Sequence, residues 1–182
     1  MASILQVEQI KGPTSGASAN TITIPSGQTL DVSDATLSGN DNTPNFGANA
    51  SSTQSISTGV WTKVQMDTEA WDTDGAYDPT TNYRFTVPTG KGGRYLINAG
   101  LEFGSIPSST IAQCTIRKNG SSVAGSSQRD YPPGSTADVK WTLSTIMNLS
   151  DGDYIEMWVY QNSGSSKNLT QHEMFFGGFR LL

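Results

Sequence analysis

The chain has 182 residues, a formal net charge of -5, and 15% charged against 35% hydrophobic residues. One Cys and one His exclude a disulfide framework, a thiolate zinc site and a multi-histidine metal site within one chain. The acidic balance lacks the Lys/Arg cluster of a nucleic-acid binder, and no run of about 18 apolar residues crosses a membrane as a helix.

Residues 1–44 differ from the rest. They hold no aromatic residue and carry sparse apolar positions: Ile4, Leu5, Val7 and Ile10, then Ile22 and Ile24. The alternation Ile22/Ile24 and Leu30/Val32, split by Pro25-Ser26-Gly27, reads as two very short strands. Such a segment has no second apolar layer of its own to face. One reading is a polar arm without structure. The other, which we adopt as the expectation, is an extended arm that orders against copies of itself or a larger assembly. In it, Ile4, Leu5, Val7, Ile10, Ile22 and Ile24 are the candidate particle-attachment residues. The opening Met1 to Ile10 shows neither a basic segment nor an apolar one, so no secretory signal is expected.

Residues 45–182 hold all the aromatics and alternate with period two. Val60, Val64 and Met66 share a parity around Trp61. Tyr83, Phe85 and Val87 alternate with Arg84 and Thr86. Tyr95, Ile97, Ala99, Leu101 and Phe103 form a five-position apolar face. Ala112, Cys114 and Ile116 follow, then Val139, Trp141, Leu143, Met147 and Leu149, then Ile155, Met157 and Val159. Phe175, Phe179 and Leu181 end the series. Asn119-Gly120 and Asp151-Gly152 are tight-turn signals. The pattern predicts an all-β antiparallel sandwich with no long helix. The stretch from Ser121 to Ala137 reads as a long loop, with Arg129 and Tyr131 as candidate recognition residues for a glycan or a neighbouring protein.

The segment Tyr154 to Tyr160 has two usable faces, Ile155/Met157/Val159 and Tyr154/Trp158/Tyr160. Tyr and Trp are enriched at subunit interfaces, so the second face is expected to meet another copy.

No catalytic constellation emerges. His172 lies beside Glu173 with no Gly-x-Ser-x-Gly elbow in the chain, and it is expected to face solvent or an interface. Cys114 has core parity. Asp67, Asp72, Asp74 and Asp78 could cluster around Ca²⁺, but no Glu stands at a bidentate position, and a solvated acidic loop is the expectation. No cofactor is expected.

Several motifs then occur in a recognisable order. Tyr77-Asp78-Pro79 leads to Tyr83-Arg84-Phe85-Thr86-Val87-Pro88 and Gly93-Arg94-Tyr95. Lys118-Asn119-Gly120, Leu149 to Asp153, and Phe176-Gly177-Gly178-Phe179-Arg180-Leu181 follow. This set resembles the complement globular-head domain of the tumour-necrosis-factor jelly-roll superfamily. The resemblance implies a ten-strand jelly roll that packs as a homotrimer, a binding or structural module and not an enzyme. Tyr95, Phe103, Tyr154, Trp158, Tyr160 and Phe176 are the candidate trimer-interface residues. No Gly-X-Y stalk is present. Instead, Met1 to Ile10 and Ile24 to Val32 resemble the opening of marine bacteriophage virion proteins. The expectation is a trimeric fibre or fibre-like appendage of a virion, made in the host cytoplasm and anchored to other virion proteins by its arm. A capsid decoration protein at a threefold site is the close alternative, and a lectin-like module a further one.

Overall fold

The computed structural model describes residues 26–29 and 42–181. Ile4, Leu5, Val7, Ile10, Ile22, Ile24 and the two short strands expected near them lie outside the described residues. The sandwich forms one compact unit, Asn40–Leu182.

Thirteen strands build it. They are β1 (Asn45–Asn49), β2 (Gln54–Ile56), β3 (Thr62–Lys63), β4 (Thr68–Asp72), β5 (Tyr77–Asp78), β6 (Arg84–Thr86) and β7 (Gly93–Ile106). After these come β8 (Ala112–Lys118), β9 (Ser121–Asp130), β10 (Ala137–Leu149), β11 (Tyr154–Gln161), β12 (Lys167–Leu169) and β13 (Phe175–Arg180). All pairings among the described strands are antiparallel. In one sheet of seven strands, β7 carries β10 along one side and β13 and β12 along the other, with β1 and β4 beyond β13 and β2 beyond β12. The second sheet runs β5-β6-β11-β8-β9, and β3 pairs with β11. This is the expected antiparallel jelly-roll sandwich, with more strands than ten because several edges are short two- and three-residue pieces. The helical content of the described residues is one 3-10 turn, Gln171–Glu173.

Period-two burial puts the core where the alternation predicts it. Tyr95, Ile97, Ala99, Leu101 and Phe103 of β7 face Ile155, Met157 and Val159 of β11, and all are buried. A ring cluster joins the two sheets. Phe46 of β1 stacks on Phe85 of β6 at 4.5 Å between centroids and meets Phe176 of β13 edge-on at 5.2 Å. Such pairs add about 0.5–1.5 kcal/mol each beyond the area they bury.

Two expectations shift. Ser121–Asp130 is a strand and not a loop. The Asn119-Gly120 turn, with φ of 51° and 78°, folds it directly back onto β8. Ser127 then donates to the buried Thr115 hydroxyl at 2.7 Å, which satisfies a polar strand that has no apolar alternation to advertise it. The end of the chain has the opposite parity from that expected. Met174, Phe176 and Gly178 point inward, and Phe175 and Phe179 point outward. A one-residue shift exchanges the faces of a strand.

Gly178 is inward because nothing larger fits. A Cβ there would stand 2.6 Å from Ile97 Cδ1 and 2.7 Å from the Leu96 carbonyl oxygen. Turn carboxylates lock the loops. Asp153 accepts from Ser150 N and Asn119 Nδ2, both at 2.7 Å, and pairs with Lys118 at 2.6 Å. It thereby ties the β8–β9 turn to the β10–β11 turn. Asp151 accepts from Gly90 N and Gly92 N at 2.6 and 2.7 Å, fastening the β6–β7 connection.

Gly178→Ala is expected to cost about 1–3 kcal/mol, because the clash includes backbone, and urea unfolding measures it. Lys118, with Ser150 N and Asn119, holds the Asp153 carboxyl down at about 2. Its folded value lies below the unfolded one, so this stabilisation is complete above about pH 4 and fades as pH falls towards 2. Asp153→Asn should therefore flatten the acid limb of a melting-temperature profile. The loss at neutral pH should be about 1 kcal/mol once solvent screening is counted.

Candidate functional site

The sequence-derived interface residues separate into two groups. Tyr95, Phe103 and Phe176 are buried in the protomer's own core, with 0–1% of their surface exposed, and offer a neighbour nothing. Their strand parity is what places them inside. Tyr154, Trp158 and Tyr160 do share the outer face of the six-stranded sheet, as expected, and are half-buried.

That face is already covered by the chain's own side chains. The Arg84 guanidinium lies 4.2 Å from the Tyr154 ring centroid. Arg117 sits between Trp61 and Trp158, at 4.8 and 4.4 Å from their centroids. Lys63 lies 5.7 Å over Trp158 and pairs with the buried Glu156. Trp158 Nε1 donates to Glu156 at 2.9 Å, and Tyr160 packs at 5.5 Å on Trp61. Each cation–π contact is worth about 0.5–2 kcal/mol. Burial holds the Arg117 guanidinium below its usual range, while the Glu156 carboxylate opposes that shift. Its Nε makes no hydrogen bond. The ladder therefore stabilises this face through ring stacking on a desolvated cation.

The outer face of the seven-stranded sheet is different. Its residues align across the strands in three rows. One row reads Ile146, Leu96, Phe179, Asn45. The next reads Ser144, Asn98, Gly177, Gly47, Trp71, and the third Thr142, Gly100, Phe175, Asn49, Thr68. No charged side chain stands in these rows. Charges begin at the ends, with Arg94 on one side and the Lys140–Glu173 ion pair on the other.

Two aromatic rings lie flat on this face because the residues beneath them lack a Cβ. A Cβ on Gly47 would stand 2.5 Å from the Trp71 ring, and one on Gly100 would stand 2.1 Å from Phe175. The rings cover their glycines and turn their other faces outward, leaving Trp71 58% and Phe175 39% exposed. Between them runs an open groove of about 440 Å³, floored by Gly47 and Gly177 and rimmed by Asn45, Asn49 and Asn98. Ile146 projects from β10 at the opposite edge of the same face and is 62% exposed. Three of the five large apolar side chains exposed among the described residues thus share one uncharged surface.

Sequence reasoning missed all three. Trp71 stands in the polar run Thr68 to Asp74, where nothing alternates. Phe175 shares the sequence parity of Phe179 and Leu181 in the closing series, and Ile146 breaks the parity of Trp141, Leu143 and Met147, which is the available signal.

The remaining candidates lie apart from this face. Arg129 holds Gln113 Oε1 through Nε at 3.1 Å and Nη2 at 2.9 Å on β8 and β9, and Tyr131 is exposed beyond β9. His172 is exposed on the 3-10 turn. Cys114 is buried, and desolvation pushes its thiol up to about 12. The four acidic-loop carboxylates do not converge. Asp67 accepts from Ser51 N and Oγ, Asp72 from Tyr77 N, and Asp78 from the amides of Thr80, Thr81 and Asn82. Among the described residues no group of three or more His, Cys, Asp or Glu is placed to hold a metal ion.

No family model and no curated protein sequence matches the chain. Solved structures do match its fold. The globular domain of zebrafish complement 1qA aligns with a TM-score of 0.53 at 14% identity, over 76% of this chain and 98% of that domain. Murine APRIL aligns with a TM-score of 0.54 at 15% identity, again over 76% and 98%. Two antiparallel sheets in this topology, matched over nearly the whole length of both neighbours, make the described domain a tumour-necrosis-factor/C1q-like jelly roll.

Proposed function

We propose that this chain is a bacteriophage virion structural protein: a homotrimeric jelly-roll module that self-associates through the outer face of its seven-stranded sheet and is anchored by residues 1–44. In this reading it is a fibre or fibre-like appendage that contacts the host surface, and not an enzyme. The observation that carries the assembly is the uncharged face bearing Trp71, Phe175 and Ile146. Burying it desolvates no ion, and each large apolar side chain moved out of water contributes about 1.5–3 kcal/mol. The virion assignment is supported by the arm's resemblance to phage virion openings, at Met1 to Ile10 and Ile24 to Val32.

A capsid decoration protein uses the same arm and the same trimer, and copy number per particle separates the two. Few copies at the tail or one vertex, with impaired adsorption on loss, fit the appendage. Many copies, with shells that leak on loss, fit decoration. A free lectin-like module would need no arm.

Removing residues 1–44 is expected to leave a folded trimer that no longer enters particles, read by immunoblot of purified virions. Incorporation of the truncated chain would remove the arm from the proposal. Trp71→Glu should convert a trimer into a monomer by light scattering, since a carboxylate cannot be buried unpaired in that face. Arg117→Ala should act oppositely. It uncovers two indoles, so tryptophan emission shifts to the red and stability falls by about 1–2 kcal/mol, while the assembly mass stays the same.

A further inference from the structure

Asn119-Gly120 is the one Asn-Gly pair in the chain. The turn it forms calls for both residues. Asn119 sits at φ 51° and Gly120 at φ 78°, in the left-handed region that glycine and asparagine enter most readily. A Cβ on residue 120 would meet nothing nearer than 3.7 Å, so the backbone angle and not space demands the glycine. The same pair is chemically labile. Glycine leaves its amide nitrogen unshielded, and that nitrogen can attack the side-chain amide before it. Both residues are exposed, so burial does not protect them. The fold instead holds the Asn119 side chain by both of its polar atoms. Nδ2 donates to Asp153 Oδ1 at 2.7 Å, and Oδ1 accepts from Tyr154 N at 2.9 Å. Asn119 N donates to the Tyr154 carbonyl oxygen at 2.9 Å, fixing the backbone at the same place. Asp153 is itself held by Lys118 at 2.6 Å and Ser150 N at 2.7 Å. Attack on Cγ requires the side chain to turn about its Cα–Cβ bond towards Gly120 N, and that rotation breaks both side-chain hydrogen bonds. The bond to Asp153 has an ionised acceptor, the stronger kind.

We propose that Asn119 is a latent deamidation site, that Asp153 keeps it closed, and that its conversion to a carboxylate undoes the tie between the β8–β9 and β10–β11 turns. In the reaction the Gly120 nitrogen gives up its proton and bonds to Asn119 Cγ. The Cγ–Nδ2 bond breaks, and Nδ2 leaves as ammonia with that proton. Water then opens the cyclic imide at either carbonyl, returning a proton to nitrogen and giving aspartate or isoaspartate. Water is the only co-reactant, and nothing is oxidised or reduced. Neither product can replace asparagine in the clamp. Aspartate suits the same turn, but it has no proton to donate to Asp153. It also sets a second carboxylate against Asp153, whose cation, Lys118, is already engaged. Isoaspartate adds a backbone atom to a two-residue turn. The turn thus selects a labile pair, and a carboxylate from the neighbouring turn makes it durable.

The test follows the full chain at neutral pH by mass spectrometry of the peptide that carries Asn119. The folded, unsubstituted chain is expected to deamidate there at least about tenfold more slowly than the same chain unfolded in urea. Asp153→Ala, checked for a β-type circular dichroism spectrum, should raise the folded-state rate by about tenfold. Asp153→Asn keeps an acceptor and should raise it less. Gly178→Ala loosens the core without touching the clamp and should leave the rate unchanged. Asn119→Asp makes the product directly and should lower the urea midpoint. That loss should shrink in the Asp153→Ala background, where the second carboxylate has nothing to repel. Equal rates in the folded and unfolded chain overturn the protection. No acceleration in either Asp153 variant, or an equal acceleration by Gly178→Ala, removes Asp153 from it, since global opening is then the route. An Asn119→Asp midpoint equal to that of the unsubstituted chain, or a loss of the same size in both backgrounds, overturns the proposed consequence for the turns.

Discussion

Four positions without a Cβ govern both sides of the seven-stranded sheet. On the inside, Gly178 leaves room for Ile97 and the Phe46 ring, and Phe46 in turn reaches across to Phe85 of the other sheet. Gly177 lets β13 approach β1, since a Cβ there would stand 2.9 Å from the Phe46 carbonyl oxygen. On the outside, Gly47 and Gly100 give Trp71 and Phe175 a floor. A strand interior normally loses stability to glycine, because the residue gives up backbone entropy and packs nothing. Here Trp71 and Phe175 occupy the volume vacated at Gly47 and Gly100, and Ile97 with the Phe46 ring that at Gly178. The inward rings join the two sheets, and the outward rings flatten the surface. Core and candidate assembly face thus share one sequence feature.

The two outer faces illustrate how a chain disposes of aromatic residues outside its core. On the six-stranded sheet, Trp61, Trp158, Tyr154 and Tyr160 are matched with Arg117, Lys63, Arg84 and Glu156 of the same protomer. Their ring faces are in use before any partner arrives. On the seven-stranded sheet the rings have only glycine beneath them and water above. The difference in free energy is simple. A partner covering the first face must displace cations from rings or bury them further, whereas a partner covering the second only removes apolar area from water. The aromatic content of a strand therefore says less about an interface than the presence or absence of a nearby cation does.

That distinction marks the boundary of what the sequence disclosed. The core of β7 and β11 was legible because burial on one face imposes strict alternation, and both strands run long enough to display it. The Asn119-Gly120 and Asp151-Gly152 turns were legible because their residue types answer a backbone requirement. β9 was not, since its Ser-rich sequence pairs through backbone and hydroxyls. The adjacent Phe175-Phe176 left parity ambiguous, and the choice between them turned on Gly178, whose role appears only when Ile97 and Leu96 are in place. The ladder around Arg117 joins β3, β8 and β11, so no local pattern could report it. The fold rests on local periodicity and was readable; the candidate surface depends on which distant strands become neighbours.

The few charges are also positioned to favour one mode of association over another. Open strand edges invite pairing with other chains, and proteins blunt them with charge and with bulges. The β9 edge carries Arg129 and Asp130 and a glycine at φ 77° beside a register irregularity. The β4 edge carries Glu69 and Asp72, and β10 carries Asp138 and Lys140. Extending either sheet by a further strand would set these charged groups against a second copy's backbone. The three neutral rows of the seven-stranded face carry no such obstacle. A composition poor in charge is then compatible with controlled assembly, because charges stand at the open edges where pairing must be prevented and are missing from the three rows of the face where burial is favourable.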